Sequence, residues 1–495
     1  FEPLEPQPSP MVDPARPMRE QVEDHDVLLT YPYESMGPLL RLVREAASDD
    51  ACISIRITLY RVAKSSHLCE SLISAAEAGK DVTVLMELRA RFDEANNIAW
   101  AERLDDAGCT VIYGSEGFKC HSKICQITYH DHGSISRITC LGTGNFNEKT
   151  ARLYSDFMLL TADEGIGADG NTFFRNLSLG NLRGTYKQLG VAPVGLKPLV
   201  MRGLDREIDR ARDGEPARVF LKMNSLTDRD VIDKISEACE AGVSVILVIR
   251  GICCIRAGVP GKTDGLVVRQ IVGRFLEHAR IYAFGADADM IYLSSADMMT
   301  RNTERRVEIA FPIRDDECRK IVRHFMDLQL ADNVKARQLT SDGTWGPVPA
   351  AEGARPVNSQ EVLLAEACAK AQEAAETRRE RHVRALRQAV EEERCAQVQA
   401  EAQDVLVHEV ANESQAIEPE VVEVPVPRQD VPARAVEAAP APQPAPVTAP
   451  AAFPSPAPQP QQLATTGERA PRGRLARSLA LFGAAFRTLF GGDDR

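Results

Sequence analysis

The chain lacks three features that would have narrowed its class at once. It has no cationic excess, since 59 Lys and Arg stand against 71 Asp and Glu for a net charge of −12. A duplex-binding surface needs positive charge at least locally, so a specific nucleic-acid partner is not expected. A small polyanion met by a local arginine cluster stays open. No apolar run reaches the ~18 residues of a membrane span, and no stretch reads as a signal peptide. The 12 cysteines show neither metal-ligand nor disulfide-framework spacing. Reduced thiols in a cytoplasmic protein are therefore expected. The first residue is Phe1 rather than Met, which suggests a piece of a longer protein.

What is present suits a globular protein of more than one domain: 495 residues, 44% hydrophobic and 26% charged. Residues 1–25 are Pro-rich and aperiodic, and are expected to be an entering linker. From Asp26 to about Arg337, apolar strands alternate with amphipathic helices, as in "CISIRITLYRV" (52–62), "DVTVLMELRA" (81–90), "RVFLKMN" (218–224) and "VSVILVIRG" (243–251). That alternation predicts α/β units around a largely buried, partly parallel sheet.

The same region repeats. "LISAAEAGKDVTVLMEL" (72–88) matches "KISEACEAGVSVILVI" (234–249), with Gly79 and Gly242 where a helix C-cap needs a left-handed residue. An arginine follows each strand, Arg91 and Arg250. "GFKCHSKICQI" (117–127) matches "FLEHARIYAF" (275–284), and "LGTGNFN" (141–147) matches "LSSADMMTRN" (293–302). Four landmarks in one order predict two copies of one unit, over 26–195 and 196–347, with a histidine site in each.

Residues 348–415 are rich in Ala, Glu, Arg and Gln and predict a long charged helix, too irregular in apolar spacing for a coiled coil. Residues 416–468 are Pro/Ala-rich and expected to be disordered. Over 469–495 helical periodicity returns, with Leu475, Leu479, Phe482, Phe486 and Leu489 among arginines. A basic amphipathic helix suits an anionic membrane surface, giving peripheral contact, or a docking face on a partner or on the protein body.

His121 and Lys123 lie at i and i+2 on an apolar strand and so share one face. A buried histidine can be an ordinary core residue. The alternative is a nucleophile beside a cation that holds a phosphate, and the second copy, His278 with Arg280, favours it. A His-x-Lys pair followed by Gly-Thr-Gly-Asn, once per half, resembles the phospholipase D superfamily, although Arg280 replaces lysine in the second half. The resemblance implies that one neutral imidazole attacks phosphorus while the other handles the leaving oxygen. Lysine and asparagine would hold the non-bridging oxygens.

The longer words "DVLLTYPYESM", "YRVAKSS", "ELRARFDEANNIAWAERL", "LGTGNFNEKTARLYSDF", "LVIRGICC" and "YLSSADMMTRN" resemble the polyphosphate kinase family of phospholipase-D-like type, over Asp26 to Arg337. The resemblance implies reversible transfer of the ATP terminal phosphate to inorganic polyphosphate with Mg²⁺, and a homo-oligomeric full-length protein. It implies phosphorylation of His121, a second active-site role for His278 on the nucleotide phosphates, and nucleotide binding at Tyr154 and Arg250. Arg61 and Arg91 match the family's magnesium-site positions. A guanidinium has no acceptor, so these two are expected to act through phosphate oxygens. Lys123, Asn145 and Asn147 are phosphate-binding candidates on chemical grounds. Asp297 and Glu308 are carboxylates that could serve Mg²⁺ directly or support a site residue from behind, and are assigned to neither; His130 and His132 read as solvated loop residues. Cys140 stands where many members carry histidine, and two further family domains precede the matched region. The expected fold is two phospholipase-D-like α/β domains in tandem, then a helical and disordered tail. Two rival functions share these residues: a phosphodiesterase or phosphatidyltransferase, and a non-catalytic polyphosphate-binding protein.

Overall fold

The computed structural model describes residues 4–88, 90, 92–114, 117–131, 133–349 and 353–415, with side chains to 403. The first domain contains α1 (Met18–Asp24), β1 (Val27–Tyr31), α2 (Gly37–Ser48), β2 (Cys52–Leu59), α3 (His67–Glu77), β3 (Asp81–Met86) and α4 (Glu94–Asp106). It continues through β4 (Thr110–Tyr113), β5 (Lys119–Cys120), β6 (Ile124–Asp131), β7 (Ser134–Gly142), β8 (Tyr154–Thr161) and α5 (Glu164–Ser178). The second begins with β9 (Gly190–Val191), α6 (Leu196–Arg212), β10 (Arg218–Met223), α7 (Arg229–Glu240), β11 (Ser244–Ile249), β12 (Val267–Ile271), β13 (Leu276–Glu277) and β14 (Arg280–Phe284). It ends with β15 (Met290–Ser294), α8 (Thr300–Glu304), β16 (Arg306–Val307), β17 (Ile309–Pro312), α9 (Asp316–Ala331), β18 (Ala336–Leu339) and β19 (Trp345–Pro347). The helix α10 (Ser359–Gln415) follows. The chain divides into two units, Phe1–His382 and Val383–Arg495, and both α/β domains lie in the first.

The expected repeat is present strand for strand. One sheet runs β1-β8-β7-β6-β2-β3-β4, and the other runs β9-β17-β15-β14-β10-β11-β12-β18-β19. The sense of pairing also matches. β2-β3-β4 and β10-β11-β12 are parallel, and the steps from β2 to β1 and from β10 to β9 are antiparallel. Helix starts recur too. Asp163 caps α5 through Ile166 N–H and Asp315 caps α9 through Cys318 N–H, each at 2.8 Å. Gly79 and Gly242 close α3 and α7 at φ +82° and +91°, a region that penalises a Cβ.

Alternation along the strands makes three cores out of two sheets. In β8, Met158 and Leu160 face the outer core of the first domain, while Phe157 and Leu159 enter a core shared with the second. In β14, Ile281 and Ala283 enter that shared core, and Tyr282 and Phe284 face the outer core of the second domain. Phe157 meets Phe325 of α9 edge-on at 5.1 Å between centroids. A close-packed apolar interface of this kind fixes one domain against the other.

Three boundaries differ from the sequence expectation. The entering segment carries α1, whose Met18 and Val22 are buried in the first core, so it is more than a linker. Gly190–Val191, expected in the first domain, pairs with β17 and extends the second sheet. The long helix begins at Ser359, because 353–358 is non-helical. Residues 416–468 and the amphipathic stretch 469–495 lie outside the described residues. All 12 cysteines are unpaired. Among the described residues no helix is long and apolar enough to cross a membrane.

Candidate active site

Two short strand pairs cross between the domains and build the site. β5 runs parallel to β16, with Lys119 opposite Arg306 and Cys120 opposite Val307. β13 runs parallel to β8, with Leu276 opposite Tyr154 and Glu277 opposite Ser155. The residue after each pair is one of the two candidate histidines. His121 N–H donates to Val307 O at 2.8 Å, and His278 N–H donates to Ser155 O at 3.3 Å. Each imidazole thereby meets a carboxylate of the opposite domain. His121 Nδ1 lies 2.9 Å from Glu308 Oε2, and His278 Nδ1 lies 2.8 Å from Asp156 Oδ2. The carboxylates are held alike, Glu308 by Ser295 Oγ–H at 2.6 Å and Asp156 by Thr143 Oγ1–H at 2.6 Å.

A carboxylate on Nδ1 makes that nitrogen the donor and leaves the lone pair of a neutral ring on Nε2. His121 therefore presents Nε2 for chemistry while Nδ1 orients the ring; at His278, Arg280 Nη1 also lies 3.1 Å from Nε2. Gly144 is required by this arrangement: a Cβ there would stand 2.2 Å from Asp156 Oδ2. Tyr60, following β2, packs edge-on against His121 at 4.8 Å between centroids. Both imidazoles keep a narrow opening, with side chains 11% and 12% exposed.

The cations differ between the halves. Lys123 is buried, and its Nζ donates to the His121 carbonyl and lies 5.4 Å from the Tyr60 ring centroid. Its counterpart Arg280 donates to the His278 carbonyl at 2.8 Å and faces both Asp297 oxygens at 3.3 Å. In the repeat Asp297 corresponds to Asn145, whose buried Oδ1 has no hydrogen-bond partner among the described residues. Arg306, the first residue of β16, adds a third cation, with Nη1 3.7 Å from Glu308 Oε1.

Burial pushes the His121 imidazole well below its ordinary value, and Lys123, Arg306 and Arg280 push the same way. His278 is lowered less, because Asp156 opposes burial and the nearby Arg280 guanidinium. Burial raises Glu308 to about 7 and lowers Lys123 to about 7. Asp156 is buried too, yet His278, Thr143 and Arg280 hold it below the usual carboxylate range. One histidine thus sits neutral beside a carboxyl poised at neutrality, and the other sits beside a fixed anion.

Residues 17–182 match the family model "Polyphosphate kinase C-terminal domain 1", and 189–360 match "Polyphosphate kinase C-terminal domain 2". The chain belongs to the polyphosphate kinase family. It is 47% identical over 349 residues to a polyphosphate kinase of Staphylococcus haemolyticus, covering 70% of this chain and 48% of that one. It is 45% identical over 343 residues to one of Bacillus cereus, covering 69% and 49%. The crystal structure of polyphosphate kinase from Porphyromonas gingivalis superposes with a TM-score of 0.70 at 34% identity, over 75% of this chain and 57% of that one. The chain therefore spans about half the length of the curated relatives it matches.

The remaining polyphosphate kinase positions divide. Tyr154 is brought to the site, its ring 5.3 Å from that of His278. Arg250, just beyond β11, hydrogen-bonds through Nε to Asn224 Oδ1, and Asn224 in turn donates to His278 O at 3.3 Å. Arg61 lies beyond β2 with Nε 3.3 Å from Asp93 Oδ2. These arginines follow the carboxyl ends of parallel strands, where α/β sheets place ligands. Arg91 and His132 lie outside the described residues. Asn147 is a turn-former: its Oδ1 accepts from Lys149 N–H at 3.0 Å and Thr150 N–H at 2.9 Å, so its acceptor is committed to the backbone. His130 is exposed, and Cys140 lies buried in the outer core of the first domain.

Asp156, Thr143, Ser295, Tyr60 and Arg306 were not singled out from sequence, and Glu308 had no assigned role. The usable signal was in the repeat, where Ser-Asp of "LYSDF" aligns with Val-Glu of "RRVEIAF". Among the described residues no group of three or more His, Cys, Asp or Glu is placed to hold a metal ion. The arginines at the family's magnesium positions offer no acceptor, so these residues do not form a protein cage for Mg²⁺.

Proposed function

We propose that this chain carries the phosphotransfer centre of a polyphosphate kinase, moving the ATP terminal phosphate to inorganic polyphosphate through a phosphohistidine on His121. The observation that carries the reading is the unequal pair of imidazoles, each oriented by a carboxylate from the other domain. His121, held neutral, attacks the γ-phosphorus in line through Nε2. The bond from phosphorus to the bridging oxygen breaks, and ADP leaves with the electron pair. Positive charge that develops on the phosphorylated ring is met by Glu308 at Nδ1, which can accept that proton as it titrates near neutrality. A terminal polyphosphate oxygen then attacks the same phosphorus, the P–N bond breaks with its electron pair returning to Nε2, Glu308 gives back to Nδ1 the proton it took, and His121 returns to its neutral state.

His278 serves the leaving oxygen. Phosphate oxygens arriving beside it favour its protonated form, and the ionised Asp156 supports that form from behind. Lys123, Arg280, Arg306, Arg250 and Asn145 spread the charge of the transferring group, which is most of what phosphoryl transfer requires of a protein. Tyr154 offers its ring to the nucleotide. In this proposal Mg²⁺ is carried by the substrate phosphates, with Arg61 contacting oxygens of the same groups. A stepwise nucleophile lets one cationic pocket serve donor and acceptor in turn. Twelve unpaired thiols accord with a cytoplasmic location.

The test is incubation with γ-labelled ATP and Mg²⁺. Acid-labile, base-stable label is expected on the wild type and absent from His121→Ala. Hydrolysis of a model phosphodiester without any label would favour the phosphodiesterase reading. Binding of polyphosphate with neither label nor hydrolysis would favour a non-catalytic protein.

A further inference from the structure

His278 is held by more than Asp156. The residue before it, Glu277, is buried and collects four side-chain donors. Its Oε2 accepts from Ser155 Oγ–H at 2.9 Å, Lys222 Nζ–H at 2.9 Å and Gln329 Nε2–H at 2.8 Å. Its Oε1 accepts from Gln360 Nε2–H at 2.6 Å. Gln360 is the second residue of α10, the helix that leads out of the catalytic body. It does not stop at Glu277: its Oε1 accepts from Phe275 N–H at 2.9 Å, and its Nε2–H donates to Phe275 O at 3.0 Å.

One side-chain amide thus gives Phe275 the two-point pairing that a neighbouring strand would give. β13 is only two residues long and has β8 on one side, so the Gln360 amide stands in for the missing strand on the other. The loop before it closes tightly over this amide, since a Cβ on Gly273 would lie 2.5 Å from Gln360 Oε1. The start of α10 is itself anchored. Ser359 N–H and Oγ–H both donate to Asp332 Oδ2 at 2.8 Å, and Asp332 Oδ1 takes three backbone N–H groups at the end of α9.

We propose that Gln360 is a positioning residue for His278, so that the first turn of the tail helix is a working part of the active centre. The inference rests on the phosphotransfer reading only for the effect on turnover. A shift of one ångström in a reacting group costs up to about a hundredfold in rate, and supporting hydrogen bonds of this kind are worth roughly ten- to a hundredfold. Gln360→Leu removes all three bonds at similar volume. The groups whose charge His278 feels, Asp156 on β8, Arg280 on β14 and Lys123 before β6, are left in place.

The measurement is the titration of the His278 imidazole by carbon-detected NMR on histidine-labelled full chain, assigned with His278→Gln, alongside turnover. Gln360→Leu should move the His278 shift and midpoint and slow transfer at least about tenfold, with His121 unaffected. Asp332→Asn is the control: it loosens the start of the same helix but keeps the Gln360 amide, so it should lower the unfolding midpoint and move His278 less than Gln360→Leu does. If Gln360→Leu fails to fold, Gln360→Asn, one methylene shorter, should show a smaller shift of the same sign. An unchanged His278 titration in either folded variant overturns the inference, as does an equal shift in Asp332→Asn. The titration needs no turnover. A Gln360-dependent shift in a chain that transfers no phosphate would therefore sink the functional reading and leave this one standing.

Discussion

The two halves share one topology and one wiring diagram, yet they do not present the same chemistry. In both, a hydroxyl steadies a carboxylate, which orients the imidazole of the other half. The difference lies in the charges packed around that relay. In the second half, Arg280 is matched by its own carboxylate Asp297, which is held down to about 2. In the first half, Lys123 has Asn145 at the corresponding place, and burial brings its ammonium down to about 7. The two frames are alike, and a difference of one cation, Lys123 against Arg280, and one acid, Asp297 against Asn145, makes them unequal. One frame keeps its cation internally neutralised. In the phosphotransfer reading proposed above, the other leaves its cation and neutral imidazole to be completed by an anionic substrate.

The largest expected effect tests the unequal carboxylates. Asp156→Asn removes a fixed anion behind His278 and should lower turnover on the order of 10²–10³-fold, since the wrong ring tautomer is then favoured. Glu308 is already half-neutral near pH 7, so Glu308→Gln should cost about tenfold in the same assay. Equal losses would break the comparison.

The second prediction uses the cations. Lys123 falls from its ordinary 10.5 to about 7 in the folded chain. Between those values the unfolded chain binds a proton that the folded chain does not, so stability rises with pH across that window. Relative to Lys123→Met, wild-type unfolding free energy should gain roughly 3–5 kcal/mol from pH 7 to pH 10. A flat difference in urea titrations would refute the buried-ammonium picture. Asp297→Asn makes the second half resemble the first and strands a buried guanidinium. It should cost about 3 kcal/mol at pH 7 by the same measurement.

Much of this frame was legible in the sequence, for a physical reason. Helix–glycine–strand units are local, so Gly79 and Gly242, the strands they lead into and both histidines could be placed from spacing alone. The relay was not legible, because its bonds join residues 187 and 122 positions apart across a domain interface. Spacing carries no information about such a contact. Asn147 shows both uses of an asparagine: its Oδ1 holds the turn through Lys149 and Thr150 N–H, while its Nδ2–H, the group a phosphate would accept from, makes one long bond to Arg61 O at 3.4 Å. The entering segment lacks helical period, yet Met18 and Val22 are enough to anchor one short helix in the core. Gln360 gave no signal at all, since its role depends on where a surface helix happens to start.

The smallest expected effect is the most exacting for the comparison. Thr143 and Ser295 occupy equivalent places, and each also accepts a backbone N–H at 3.0 Å, from Phe157 and Ile309. Thr143→Ala and Ser295→Ala therefore orphan the same kind of donor, and that cost cancels between them. What differs is the acceptor. Asp156 is held ionised, so the Thr143 bond is charge-assisted throughout the neutral range and its loss should cost about 2 kcal/mol at any pH from 6 to 8. Glu308 gains its charge only as pH passes about 7. The cost of Ser295→Ala should then grow from about 1 kcal/mol at pH 6 towards the Thr143 value at pH 8, read from paired urea titrations. Parallel lines across that range would mean that the two carboxylates carry the same charge, and that the halves are chemically equivalent after all.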